Sequence, residues 1–126
     1  MSGSGSAGVP GTGRPRTVWL VVAAGVALAV QLAGVYLPGS AVPSEVSIPY
    51  ADKVVHFLIF GVPTYLFARL TGRTWLVAAI FLAHGAVSEF VQTFIPGRDP
   101  DVFDFTADAV GVAAAIVAIL VVARRR

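Results

Sequence analysis

Four apolar runs, 18–37, 54–70, 75–94 and 105–123, fill most of a chain of 126 residues, and they decide what it can fold into. The hydrocarbon slab of a bilayer, roughly 30 Å thick, is crossed by about 20 apolar residues at about 1.5 Å rise per residue. Each run reaches or approaches that length, which is too long for the buried helices of a soluble core. The mean hydropathy of +0.81 agrees. The expected fold is all-α: a polytopic membrane protein, a bundle of four transmembrane helices over about 18–37, 52–70, 74–94 and 102–123. Residues 17–126 then form one membrane domain with the lipid bilayer as its first partner.

The segments between the runs carry their own signals. Residues 1–16 are rich in Gly and Ser without apolar periodicity and predict a disordered tail. The first apolar run is longer than the roughly 7–15 residues of a signal peptide and ends in Tyr36-Leu37-Pro38, so a retained helix is expected. Gln31 is its one strongly polar member, read as a snorkelling or interhelical amide. Pro38, Pro43 and Pro49 predict a loop before the second helix. Asp52 is placed to cap that helix, and Pro63 to kink it in mid-membrane. Pro96-Gly97 stops the third helix, and the fourth starts near Asp101 or Asp104.

Charge gives orientation. Arg14, Arg16, Arg69, Arg73 and Arg124 to Arg126 fall on one side of a four-helix topology, with no acid beside them. All seven acids fall on the other side, with Lys53 and Arg98 as basic company. Basic residues collect on the cytoplasmic side, so both termini are expected there, in the cell membrane. This distribution also argues against a nucleic-acid groove, despite the net charge of +2. With no cysteine, disulfides, thiolate metal sites and Cys nucleophiles are excluded.

Only 13% of the residues are charged, yet the stretch from Phe90 to Asp108 holds Gln92, Arg98, Asp99, Asp101, Asp104 and Asp108, with Glu89 just before it. Helical periodicity gathers them. Asp52 and His56 stand at i and i+4, Glu89 and Gln92 at i and i+3, Asp104 and Asp108 at i and i+4. Gly111 continues the last face and permits close approach of another helix. An ionised carboxylate in hydrocarbon costs at least about 2.5–3.5 kcal/mol, so these groups must face the bundle interior, pair, or line a wet cavity. The bland alternative is a structural network, with Glu89 or Asp104 on Arg98 and Asp52 on His56. The candidate ligand-binding residues are Asp52, Lys53, His56, Glu89, Gln92, Arg98, Asp104 and Asp108. Of these, His56, Glu89 and Asp104 are the candidates for catalysis. His84, deeper in the third helix, is read as a packed histidine donating to a backbone carbonyl, with an inward relay as the rival reading. Tyr36 is read as an interfacial anchor.

The ordered set Asp52-Lys-x-x-His56, Glu89-x-x-Gln92, Gly97-Arg98, Asp104 and Gly111 resembles the VanZ-like family of small membrane proteins, over roughly residues 20–122. The chain departs from the usual family pattern at Asp108, where Asn is common. The resemblance implies a cell-envelope role, since the founding member is associated with low-level resistance to the glycopeptide teicoplanin. It implies no settled biochemical activity.

Three functions compete. The leading one is an outward polar pocket that binds an envelope lipid or amphiphile, such as a lipid-linked precursor or a lipoglycopeptide. Lys53 and Arg98 would meet anionic groups there; Glu89, Asp104 and Asp108 would meet cationic or hydroxyl groups. The alternative is a membrane-embedded hydrolase or transferase acting on a lipid-linked phosphate. Asp52, His56, Glu89, Asp104 and Asp108 would then supply a base or hold a divalent cation. Transport is the weakest. No metal signature such as H-E-x-x-H and no cofactor motif is present.

Overall fold

A computed structural model describes residues 3, 5, 14–41 and 50–125, with the side chains of 14 and 15 left aside. The disordered tail expected for 1–16 falls mostly outside the described residues, as do residues 42–49 of the first loop. Four helices follow in order: α1 (Arg14–Tyr36), α2 (Ala51–Thr71), α3 (Thr74–Gln92) and α4 (Val102–Arg124), with a 3-10 turn at Gly39–Ala41. All four are long and apolar enough to cross a membrane. The chain is an all-α, multi-pass membrane protein. α1 already includes Arg14 and Arg16, which the composition had assigned to the tail, and α3 ends two residues before Phe94.

Local chemistry sets the ends. Asp101 caps α4: its backbone is extended and its carboxylate accepts from the Phe103 N–H at 2.9 Å. Gly72, at φ +69°, closes α2 with its N–H on the Ala68 carbonyl, a left-handed conformation that glycine adopts without strain. Asp52 does not cap α2. Tyr50 holds that position at φ +65° without a side-chain bond, and Asp52 sits in the first turn, where the helix dipole favours a carboxylate.

α2 is the centre of the bundle. It packs most extensively on α4 and is flanked by α1 and α3, while α1 touches α3 slightly and has no described contact with α4. The α2–α4 crossing is backbone on backbone. A Cβ at Gly61 would stand 3.0 Å from the Gly111 carbonyl oxygen, and one at Gly111 would collide with the Phe57 carbonyl. Without a hydrophobic drive between helices in lipid, such close van der Waals approach supplies much of the association. Val35, Phe60, Ala68, Val77, Ala78, Phe81 and Val112 make the apolar core.

Large apolar side chains such as Val22, Val26, Val30, Leu58 and Val117 point outward, whereas Gln31, Thr64, Ser88, Gln92 and Asp108 are fully buried. That inversion suits a lipid solvent. Gln31 shows why a buried amide is tolerated. Pro63 lacks an N–H, so the Ile59 carbonyl four residues earlier loses its helical donor. Gln31 Nε2 donates to it at 3.0 Å from α1. α2 thereby runs unbroken from Ala51 to Thr71, and the interhelical reading of Gln31 is the observed one.

Candidate functional site

The polar groups converge at one end of α2, α3 and α4. Lys53, in the first turn of α2, reaches across to α4. Its ammonium donates to Asp52 and Asp101, both at 2.9 Å, and to Asp104. An ammonium has three donors and all three are used. His56, one turn deeper, bonds through Nδ1 to Asp108 Oδ1 at 2.7 Å, and its Nε2 stands 3.5 Å from Asp104 Oδ2. From α3, Glu89 Oε2 accepts the Asp101 N–H at 3.1 Å. Asp101 is thus a hub: its carboxylate caps α4 and holds Lys53, and its N–H holds Glu89. The Lys53 ammonium keeps the Asp101 carboxyl below its ordinary range, helped by the Phe103 N–H.

The pairings differ from those of the structural network that the sequence offers as its alternative. Asp52 pairs with Lys53, not with His56; the i, i+4 relation puts the two on one face, but Asp108 from α4 claims the imidazole. Arg98 meets neither Glu89 nor Asp104. Its Nε donates to the Leu37 carbonyl at 2.9 Å and its Nη2 to Gly34 at 2.7 Å. Gln92 Nε2 donates to Val35 at 3.0 Å. Both side chains therefore serve the free carbonyls at the end of α1, a helix with no basic residue in its own last turn. The loop carrying Arg98 is pinned there too: Gly39 N–H donates to the Pro96 carbonyl, and a Cβ on Gly39 would strike the Gly97 carbonyl.

His84 departs from its expectation as well. Its Nε2 lies 2.9 Å from the Tyr36 hydroxyl, and its ring is tilted against Tyr36 and Phe60. Tyr36 is consequently turned inward onto α3.

Two buried carboxylate oxygens, Glu89 Oε1 and Asp108 Oδ2, have no partner among the described residues. A groove of about 890 Å³ opens beside the cluster between α2 and α4, with Lys53 and Asp101 at its head and Val54, Phe57, Phe103, Ala107 and Val110 along its wall. A smaller one of about 300 Å³ lies between α3 and α4 and reaches Glu89. Asp101 was the residue sequence reasoning missed. The signal was present, because Asp101 and Asp104 stand at N-cap and N3 spacing just before an apolar run.

Comparison with known proteins places this arrangement. The family model described as VanZ/LLP1 matches residues 16–123. An uncharacterised protein of Schizosaccharomyces pombe is 36% identical over 87 residues, which cover 63% of this chain and 52% of the relative. The chain thus spans about half the length of the curated relative it matches. No solved structure matches it.

Proposed function

The chain belongs to the VanZ/LLP1 family of small membrane proteins, and from that premise we propose that it binds an amphiphilic envelope molecule, such as a lipid-linked precursor or a lipoglycopeptide, at the polar end of α2 and α4. One observation carries the reading: the α2–α4 groove joins a charged head, Lys53 and Asp101, to an apolar wall formed by Val54, Phe57, Ala107 and Val110. That is the polarity profile of a lipid with its head group at the membrane surface and its chain between helices.

The chemistry of the head group follows from the free valences. Lys53 is saturated by three carboxylates and Arg98 is committed to α1. Lys53 is thus not left for an anionic group, the role that the sequence suggests for it, and the described bonds of Arg98 run to α1. The remaining lone pairs belong to carboxylates, so the site favours a head that donates hydrogen bonds, an ammonium or a set of hydroxyls. We read this end as extracytoplasmic and both termini as cytoplasmic, since every described acid lies at it and the described charges at the opposite end are basic.

Lipid analysis of protein purified in mild detergent tests the binding. Wild type should carry a lipid class enriched over the bulk membrane, and Val110→Trp, which fills the groove without touching the cluster, should lose it. A lipid content equal to bulk in both proteins would refute the reading. For orientation, an impermeant thiol reagent on intact cells should label Ser44→Cys and spare Thr71→Cys; the reverse pattern inverts the topology.

A further inference from the structure

Glu89 and Asp108 are left short of positive charge by the pairing around them. Lys53 spends its three donors on Asp52, Asp101 and Asp104, and Arg98 lies on α1. His56 alone remains for two carboxylates, and it uses one nitrogen on Asp108 Oδ1. Asp108 is 1% exposed. Its second oxygen, Oδ2, is buried and unpartnered and faces α3, 3.5 Å from where a Cβ of Gly85 would stand. Glu89 follows Gly85 by one turn on that same face, and its Oε1 is likewise buried without a partner. Two carboxylates from two helices, each with one orphan oxygen, thus gather beside one imidazole. Leaving such groups unmatched is expensive in a medium that solvates charge poorly.

We propose that His56, Glu89 and Asp108 form a divalent-cation site bridging α2, α3 and α4. One donor atom from each residue lies within 4.8 Å of the other two. Donors held at about 2.0–2.2 Å from a common ion stand roughly 3–4.4 Å apart, so small side-chain rotations complete the site. A dication balances the two carboxylates with a neutral imidazole. One imidazole with two carboxylates suits Zn²⁺ or Mn²⁺, a harder set than thiolate sites offer. Asp104, 3.5 Å from His56 Nε2 and anchored by Lys53, is positioned to orient the ring, as outer carboxylates do for ligating histidines. The groove reaching Glu89 between Pro100, Val102 and Phe105 is the route of entry. The site is separate from the α2–α4 groove, whose walls include none of the three ligands.

The test uses the full chain in detergent, stripped with chelator and dialysed against ZnCl₂ or MnCl₂. Metal content is read by mass spectrometry and unfolding by the fluorescence of Trp19 and Trp75. One ion per chain and a raised unfolding temperature are expected for wild type and for Asp99→Asn, a control that removes an acid elsewhere. Both effects should vanish in Glu89→Gln and in Asp108→Asn. Helical wild-type protein that takes up neither metal overturns the proposal, and so does uptake unchanged in both variants. Should a variant not fold, the wild-type stoichiometry decides. Val110→Trp should keep its ion, which separates failure of this site from failure of the lipid reading.

Discussion

The two halves of the bundle hold together by different means. Beyond Pro63, toward Arg69 and Thr74, α2 makes local side-chain hydrogen bonds: Thr64 to Phe60, Arg69 to Tyr65, Thr71 to Phe67, and the Arg73 N–H to Thr71. The helices there meet through Ala68, Val77, Ala78 and the tilted Phe67–Phe81 pair at 6.0 Å. At the other end bonds also cross between elements: Lys53 to Asp104, His56 to Asp108, Gln92 to Val35 and Tyr36 to His84 between helices, and Arg98 of the α3–α4 loop to Gly34. Apolar packing in lipid is tolerant of register, whereas a hydrogen bond between helices is not. The polar half therefore sets how the helices align, and the apolar half follows.

The largest expected effect is at the seam between the halves. Gly111→Leu drives a side chain into the Phe57 carbonyl and should cost more than the about 1–3 kcal/mol of ordinary overpacking, because backbone must move. Loss of the monodisperse peak in size-exclusion chromatography would show it. A normal peak would mean that the α2–α4 crossing is looser than described.

Next comes the amide at Pro63. Gln31→Leu strands the Ile59 carbonyl and should destabilise by about 1–2 kcal/mol in detergent unfolding. Pro63→Ala restores a helical donor, so the same substitution in that background should cost far less. Equal costs in the two backgrounds would remove the link between Gln31 and Pro63.

A smaller effect should follow pH at the polar end. Asp101 is held below its ordinary value of 3.8 by Lys53. A carboxyl lowered on folding contributes stability above that value and loses it as the pH falls through its folded pKa. Wild type should lose unfolding temperature as pH drops below 3.8, and Asp101→Asn should lose less. The smallest effect belongs to the apolar end: Thr71→Val breaks two exposed local bonds, one to the Phe67 carbonyl and one from the Arg73 N–H, and should shift stability by no more than about 0.5 kcal/mol. A large loss there would break the contrast.

The same contrast explains what the sequence made legible. The four helices could be read because a bilayer needs long apolar runs, and their ends fell within a few residues of the expected ones. That Lys53, His56, Glu89, Asp104 and Asp108 share one end could be read from i, i+4 spacing and helix count. Their partners could not. Spacing fixes the face a residue occupies on its own helix, but the neighbour it meets depends on how α2 and α4 align, which spacing on one helix does not contain. Hence the purely structural alternative pairs His56 with Asp52, whereas it is found on Asp108. Arg98 misled for another reason: a loop arginine near acids suggests an ion pair, but the unsatisfied carbonyls at the end of α1 were the stronger claim. An α1 with no basic residue in its last turn was the available clue.

The central claim is that the polar end locks α2 to α4 through Lys53 and Asp104. A double-mutant cycle tests it most directly, with unfolding measured for wild type, Lys53→Met, Asp104→Asn and the double variant. The account predicts that the double variant loses less than the sum of the single losses, with a coupling of about 0.5–3 kcal/mol as for residues in contact. Additive losses would contradict it, for they would mean that the two side chains act alone and that the register of the bundle is set elsewhere.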